Sequence, residues 1–189
     1  MGYIIAPMDK VKTDYPEFLD TMRKVEDAAI KRATEIWEGF SLGGIVPGAK
    51  QFGIGNILPK DVLGAGTYTW KQTFSAPGSW TNIFSYTVPE DEIHAFAGFA
   101  ITDPTIIFTQ LRLEISDKKY PIIEIEEANL YDKGFAIIIK QDPGDELIVA
   151  EEESMKLRGW QERGTSGYQQ RVVPLGVNIY KRKELVITE

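Results

Sequence analysis

One twelve-residue pattern occurs twice in this chain, and it limits the fold more than any other feature. Val88-Pro89-Glu90-Asp91-Glu92-Ile93-His94-Ala95-Phe96-Ala97-Gly98-Phe99 returns 61 residues later as Val149-Ala150-Glu151-Glu152-Glu153-Ser154-Met155-Lys156-Leu157-Arg158-Gly159-Trp160. Each copy reads as a strand ending in valine, an acidic three-residue turn, and a strand ending in glycine and an aromatic residue. One supersecondary device used twice points to a β-sandwich rather than to a catalytic motif.

The period of apolar residues agrees. From Thr67 onward it is two. Ile107, Thr109, Leu111, Leu113 and Ile115 alternate with Phe108, Gln110, Arg112 and Glu114. Ile123 and Ile125 alternate with Glu124 and Glu126, and Phe135, Ile137 and Ile139 continue the pattern. Met155 with Leu157 and Val177 with Ile179 extend it, while Trp80, Phe84, Tyr86 and Val88 are expected to share one face. Turn signals such as Ala76-Pro77-Gly78-Ser79 and Asp142-Pro143-Gly144-Asp145 separate the runs. Short strands at this spacing predict a mainly β chain, an antiparallel sandwich or jelly roll.

Residues 14–39 carry the period of a helix. Phe18, Met22, Val25, Ala29, Ala33, Ile36 and Phe40 recur in steps of three or four, widened by Leu19, Ile30 and Trp37. Asp14 and Glu17 have capping-box spacing, Pro16 suits a first turn, and Gly39 is a natural stop. Such a helix docks either on its own sandwich or on a neighbouring subunit.

Residues 39–66 hold eight glycines among Ile45, Val46, Phe52, Ile54, Ile57, Leu58, Val62 and Leu63. A flexible linker would carry polar residues in those places. The segment is therefore expected to be an extended arm lying on a surface, its own or a partner's. Its Gly53-Ile54-Gly55-Asn56 run has neither the dinucleotide spacing nor a Gly-Lys-Ser/Thr end. The chain is thus expected to divide into a helix and arm, 1–66, and a β-sandwich, 67–189, forming one structural unit.

Composition removes several function classes. With 43% apolar and 26% charged residues the chain suits a folded domain. A net charge of −7 argues against direct nucleic-acid binding, although Lys181, Arg182 and Lys183 form a local basic patch. Cysteine is absent and His94 is the one histidine, so no cofactor or transition-metal centre is expected. No run of apolar residues is long enough to span a membrane, and Met1 to Lys12 lacks the apolar core of a signal peptide. A cytoplasmic site of synthesis is expected.

Three candidate chemistries stand beside plainer readings. His94 lacks a glycine-flanked nucleophile and reads as a structural strand histidine. Glu90 to Glu92 and Glu151 to Glu153 offer carboxylates to calcium, but without the alternating spacing that wraps an ion, and they also serve as solvated turns. Glu114, Glu124, Glu126 and Glu162, with Trp70, Trp80, Tyr86 and Trp160 as platforms, fit a carbohydrate-binding module or glycoside hydrolase. Buried sandwich aromatics explain the same residues.

An N-terminal helix, a glycine-rich apolar arm and a sandwich with turns such as Thr87-Val88-Pro89-Glu90-Asp91-Glu92 resemble the β-sandwich structural proteins of bacterial and archaeal viruses. These include single jelly-roll capsid and capsid-associated proteins. The resemblance implies a non-enzymatic virion subunit, assembled in a host cytoplasm with copies of itself or other virion proteins. Its expected subunit interface is Phe18, Met22, Val25, Trp37, Phe40, Ile45, Phe52, Ile54, Ile57 and Leu58.

Overall fold

The computed structural model describes residues 2–43, 49–126, 128, 133–162 and 167–182. It contains β1 (Gly2–Pro7), α1 (Pro16–Ile36), β2 (Ser41–Leu42), β3 (Gln51–Asn56), α2 (Pro59–Leu63), β4 (Lys71–Phe74) and β5 (Ser79–Thr87). There follow β6 (Glu92–Ile101), β7 (Phe108–Ile115), β8 (Lys118–Lys119), β9 (Ile123–Glu124) and β10 (Phe135–Lys140). The last three are β11 (Leu147–Val149), β12 (Ser154–Gln161) and β13 (Tyr168–Lys181).

Two sheets face each other, as the alternation predicts. The first runs β1-β10-β6-β13-β3-β2, with β11 beside β6 and β4 beside β13; the second runs β5-β12-β7, with β8 and β9 on β7. Pairing is nested: β3 and β4 with β13, β5 with β12, β6 with β10, and β7 with β9. Strands early in the chain thus meet strands late in it, which is jelly-roll winding.

The main core lies between the sheets. Phe96, Phe99 and Ile101 from β6 meet Phe84, Phe108, Leu111 and Leu157 from the second sheet there. The opposite face of the first sheet is covered by α1. Val25, Ala29, Ala33 and Trp37 pack on Phe52, Ile93, Ala95, Val177 and Ile179. Alanines on both sides let the helix backbone approach the sheet closely. Because β6 is covered on both faces, its apolar residues run on almost without alternation.

The helix is shorter than its sequence signals. It begins at Pro16, and Tyr15 occupies the cap position without a side-chain cap bond. Asp14 instead donates its N–H to Lys10 in the preceding turn. At the other end Trp37 leaves the helix and tucks its ring against Phe52, and Gly39 adopts a positive φ of 79°.

The described residues of 39–66 form strands and a short helix rather than an extended arm. Gln51–Asn56 is a strand of the first sheet, paired with Val177–Lys181 of β13, and Phe52 is fully buried. Gly53 and Gly55 make room for the Tyr180 ring lying across them; a Cβ on Gly53 would sit 3.0 Å from that ring and 2.9 Å from the Arg182 guanidinium. The segment 1–66 therefore supplies strands and a covering helix to the same sheet as the rest of the chain.

Candidate functional site

The sheet that α1 leaves uncovered carries the most unusual surface. Its inward residues, Leu111, Leu113, Met155 and Leu157, are buried, so their strand neighbours point outward. Register places these in three cross-strand rows. The first is Trp80, Trp160, Gln110 and Glu124, and the second is Asn82, Arg158 and Arg112. The third is Ser85, Lys156, Glu114 and Lys119.

Trp80 reaches this face through a bulge. Leu157 pairs with Phe84 and Arg158 with Asn82, so Ile83 is the extra residue in β5. An extra residue reverses the alternation. Trp80 consequently points to solvent while Phe84, Tyr86 and Val88 point inward, in place of the single shared face expected from the spacing.

On the exposed face, the Trp80 and Trp160 rings meet edge to face, 5.9 Å apart at 66°. The Arg112 guanidinium lies 4.9 Å over Trp80, and its Nε is 3.2 Å from Glu114. Gln110 donates to Glu124 at 2.9 Å. Arg158 stands directly opposite Arg112. Among the described residues it has no ion-pair partner, and its Nε makes no hydrogen bond. Like charges facing each other across two strands repel.

The echoed pattern is one geometry used twice. Each copy crosses from one sheet to the other, β5 to β6 and β11 to β12. Each places an acidic residue in the left-handed region at the same position, Asp91 at φ 68° and Glu152 at φ 65°. The turns are stitched together: Val88 N–H donates to the Glu153 carbonyl and Glu152 N–H to the Val88 carbonyl, both at 3.0 Å. The Glu151 carboxylate accepts from the Asp91 N–H at 3.0 Å and from the Trp37 indole at 3.3 Å. Pro89, Glu90 and Glu152 remain exposed at the tip.

Beneath the turns lies a buried polar group. His94 is fully enclosed; its Nδ1 is 2.8 Å from the Tyr86 hydroxyl and its Nε2 is 3.2 Å from Glu92. Asn178 donates to the same Glu92 oxygen at 2.9 Å. The His94 bond, reinforced by Asn178, holds the Glu92 carboxyl below its ordinary range against the opposing effect of burial. Burial, with the charges of Asp61 and Glu92, pushes the Tyr86 phenol well above its usual value. The group spans both sheets and reads as a structural tie.

A cleft of about 550 Å³ opens beside it, lined by Phe40, Lys50, Glu92, Tyr180, Lys181 and Arg182 among others. Lys181 is paired with Asp91 at 2.5 Å and lies 5.1 Å over the Trp37 ring. Its charge is already compensated. Among the described residues no three histidine or carboxylate side chains converge in a metal-binding group.

The residues expected to form a subunit interface are largely used inside the subunit. Val25, Trp37 and Phe52 join helix to sheet, and Ile57 enters the core between the sheets. Met22, Phe40 and Ile54 pack partly against the same helix–sheet layer, and Phe18 against its neighbouring cluster. Leu58 alone keeps a large exposure, 45%. Ile45 lies outside the described residues. The physical reason is the strand at Gln51–Asn56, which turns Phe52 and Ile54 toward α1, while Ile57 beyond it enters the core between the sheets.

The glycosidase candidates also disperse. Trp70 packs edge-on against Phe84 at 5.8 Å, and Tyr86 faces inward. Only Trp80 and Trp160 share an exposed face, joined there by Glu114 and Glu124. Their edge-to-face angle gives no flat platform, and Arg112 occupies one face of Trp80.

The chain matches no protein-family model, and neither curated proteins nor solved structures provide a match. Among the described residues, no helix is long and apolar enough to cross a membrane.

Proposed function

We propose that the chain is a structural assembly protein, a capsid or capsid-associated subunit of a virus particle, that binds other subunits through the outer face of its second sheet. The observation that carries this reading is the composition of that face. It presents two half-buried tryptophans and two arginines that no other element covers among the described residues. Tryptophan and arginine are the residues most enriched where protein contacts concentrate their energy. Among the described residues, jelly-roll winding with a helix over the opposite sheet leaves this face uncovered. The virion setting rests on the layout of helix and sandwich described from the sequence.

A carbohydrate-binding module is the second reading, favoured by the pairing of Trp80 with Trp160. The Arg112 stack weighs against it, since a sugar ring needs an open aromatic face.

Light scattering and negative-stain imaging of the purified chain distinguish the two. An assembly subunit should show a mass above the monomer that falls in Trp160→Ala. A binding module should remain monomeric, with tryptophan fluorescence quenched by oligosaccharides; that outcome would reject the assembly reading.

A further inference from the structure

We infer that the acidic tip of one copy, Pro89, Glu90 and Glu152, docks on the arginine row of the next, Arg112 and Arg158, in a head-to-side contact that propagates. The inference rests on the assembly reading and names the partner surface for that face.

Charge points to the occupant. In a chain of net charge −7, the three rows of the second sheet carry Arg112, Arg158, Lys156 and Lys119 against Glu114 and Glu124. Arg158 is the critical residue. It faces another arginine and has no ion-pair partner among the described residues, so an incoming carboxylate would relieve a repulsion as well as form an ion pair. The tip supplies the complement. Asp91 is engaged by Lys181 and Glu151 by Trp37, which leaves Glu90 and Glu152 exposed with Pro89 between the strands and solvent. A proline ring suits the adjoining tryptophans.

One chain cannot satisfy its own face. Ser154 lies at the tip end of β12 and Arg158 four residues along it, about 13 Å away. The two surfaces therefore sit at different places on the subunit. A contact between unlike patches is not self-limiting. It continues from copy to copy until a ring closes or an array extends.

Charge reversal in the full chain tests this. A face variant, Lys156→Glu with Arg158→Glu, and a tip variant, Glu90→Lys with Glu152→Lys, are compared by sedimentation velocity, with circular dichroism confirming folding. Lys156, Glu90 and Glu152 are exposed and Arg158 is half-buried, so a single Lys156→Glu replaces the double change if folding suffers. Each variant alone should associate at least roughly tenfold more weakly than the native chain. Mixing them should restore association, because an acidic face then meets a basic tip. Association of the native chain should also weaken as salt rises.

Loss in the face variant with no loss in the tip variant would overturn the head-to-side contact while leaving assembly through the face intact. Loss in both without recovery on mixing would likewise overturn it. A native chain that stays monomeric at all concentrations would remove the assembly reading itself.

Discussion

His94 illustrates how a single residue can look catalytic in sequence and structural in place. Its two ring nitrogens are engaged by Tyr86 on one sheet and Glu92 on the other. The consequence is a defined stability profile at both ends of the pH scale. The folded Glu92 carboxyl titrates below its ordinary 4.5. Its ionised form therefore stabilises the fold above that value, and the contribution is lost as pH falls below it. Tyr86 runs the other way: the unfolded phenol ionises from 10.0 while the buried one stays neutral, so stability is intact below that value and declines as pH rises above it. Urea titrations across pH should show Glu92→Gln less stable by about 1 kcal/mol at neutrality but with a shallower acid slope. Tyr86→Phe should flatten the alkaline slope. Unchanged slopes in both variants would show that this group does not couple to folding. The sequence placed His94 correctly in a strand. It could not disclose the tie, because Tyr86 and Asn178 lie on other strands and come together only after winding.

At the level of elements, the echoed turns are the clearest success of sequence reading, and their twist could not be read there. Neither Asp91 nor Glu152 is glycine, yet both hold a left-handed backbone. That conformation costs an L-residue about 1–2 kcal/mol. Glu152→Gly should therefore be neutral to stabilising by up to about 1 kcal/mol, the gain offset by a more flexible unfolded chain. Glu151→Ala should cost about 1–2 kcal/mol, since it leaves the Asp91 N–H and the Trp37 indole without their acceptor. Thermal melts of the two variants should shift in opposite directions, or the first not at all; equal losses would contradict this account of the turn.

The N-terminal elements were legible in part. The period of α1 was plain, but nothing in it told which surface it covers. Strand β3 was hidden because its glycines, placed there for Tyr180, suppress the β-branched signature of a strand. Ile83, the bulged residue, inverted the reading of Trp80 for a similar reason: periodicity assumes an unbroken ladder. Removing residues 1–40 should accordingly not leave a folded β domain. It strips β1 from β10 and uncovers Ile93, Ala95 and Ile179. The truncated chain is expected to lack a cooperative melt and to bind a hydrophobic dye. A sharp two-state transition would instead show the helix to be an optional layer.

Over the whole molecule, the position of β13 has a consequence for how the fold is reached. This 14-residue strand sits inside the first sheet, between β6 on one side and β3 with β4 on the other, yet it is made after every other described strand. A chain emerging from the ribosome therefore holds β3, β4 and β6 without the strand that joins them until Tyr168–Lys181 follows. Local contacts cannot substitute, so loop closure over long separations must come first, and folding belongs to the slow regime of milliseconds to seconds. Until then β6 lacks its β13 partner along one edge, and that open edge depends on dilution or a chaperone to escape wrong pairing. Strand β12, which carries Arg158 and Trp160, also arrives late. On the proposed assembly reading, the surface that would meet neighbours and the stable fold behind it come into existence almost together, so a chain that has not yet paired β13 has little with which to associate.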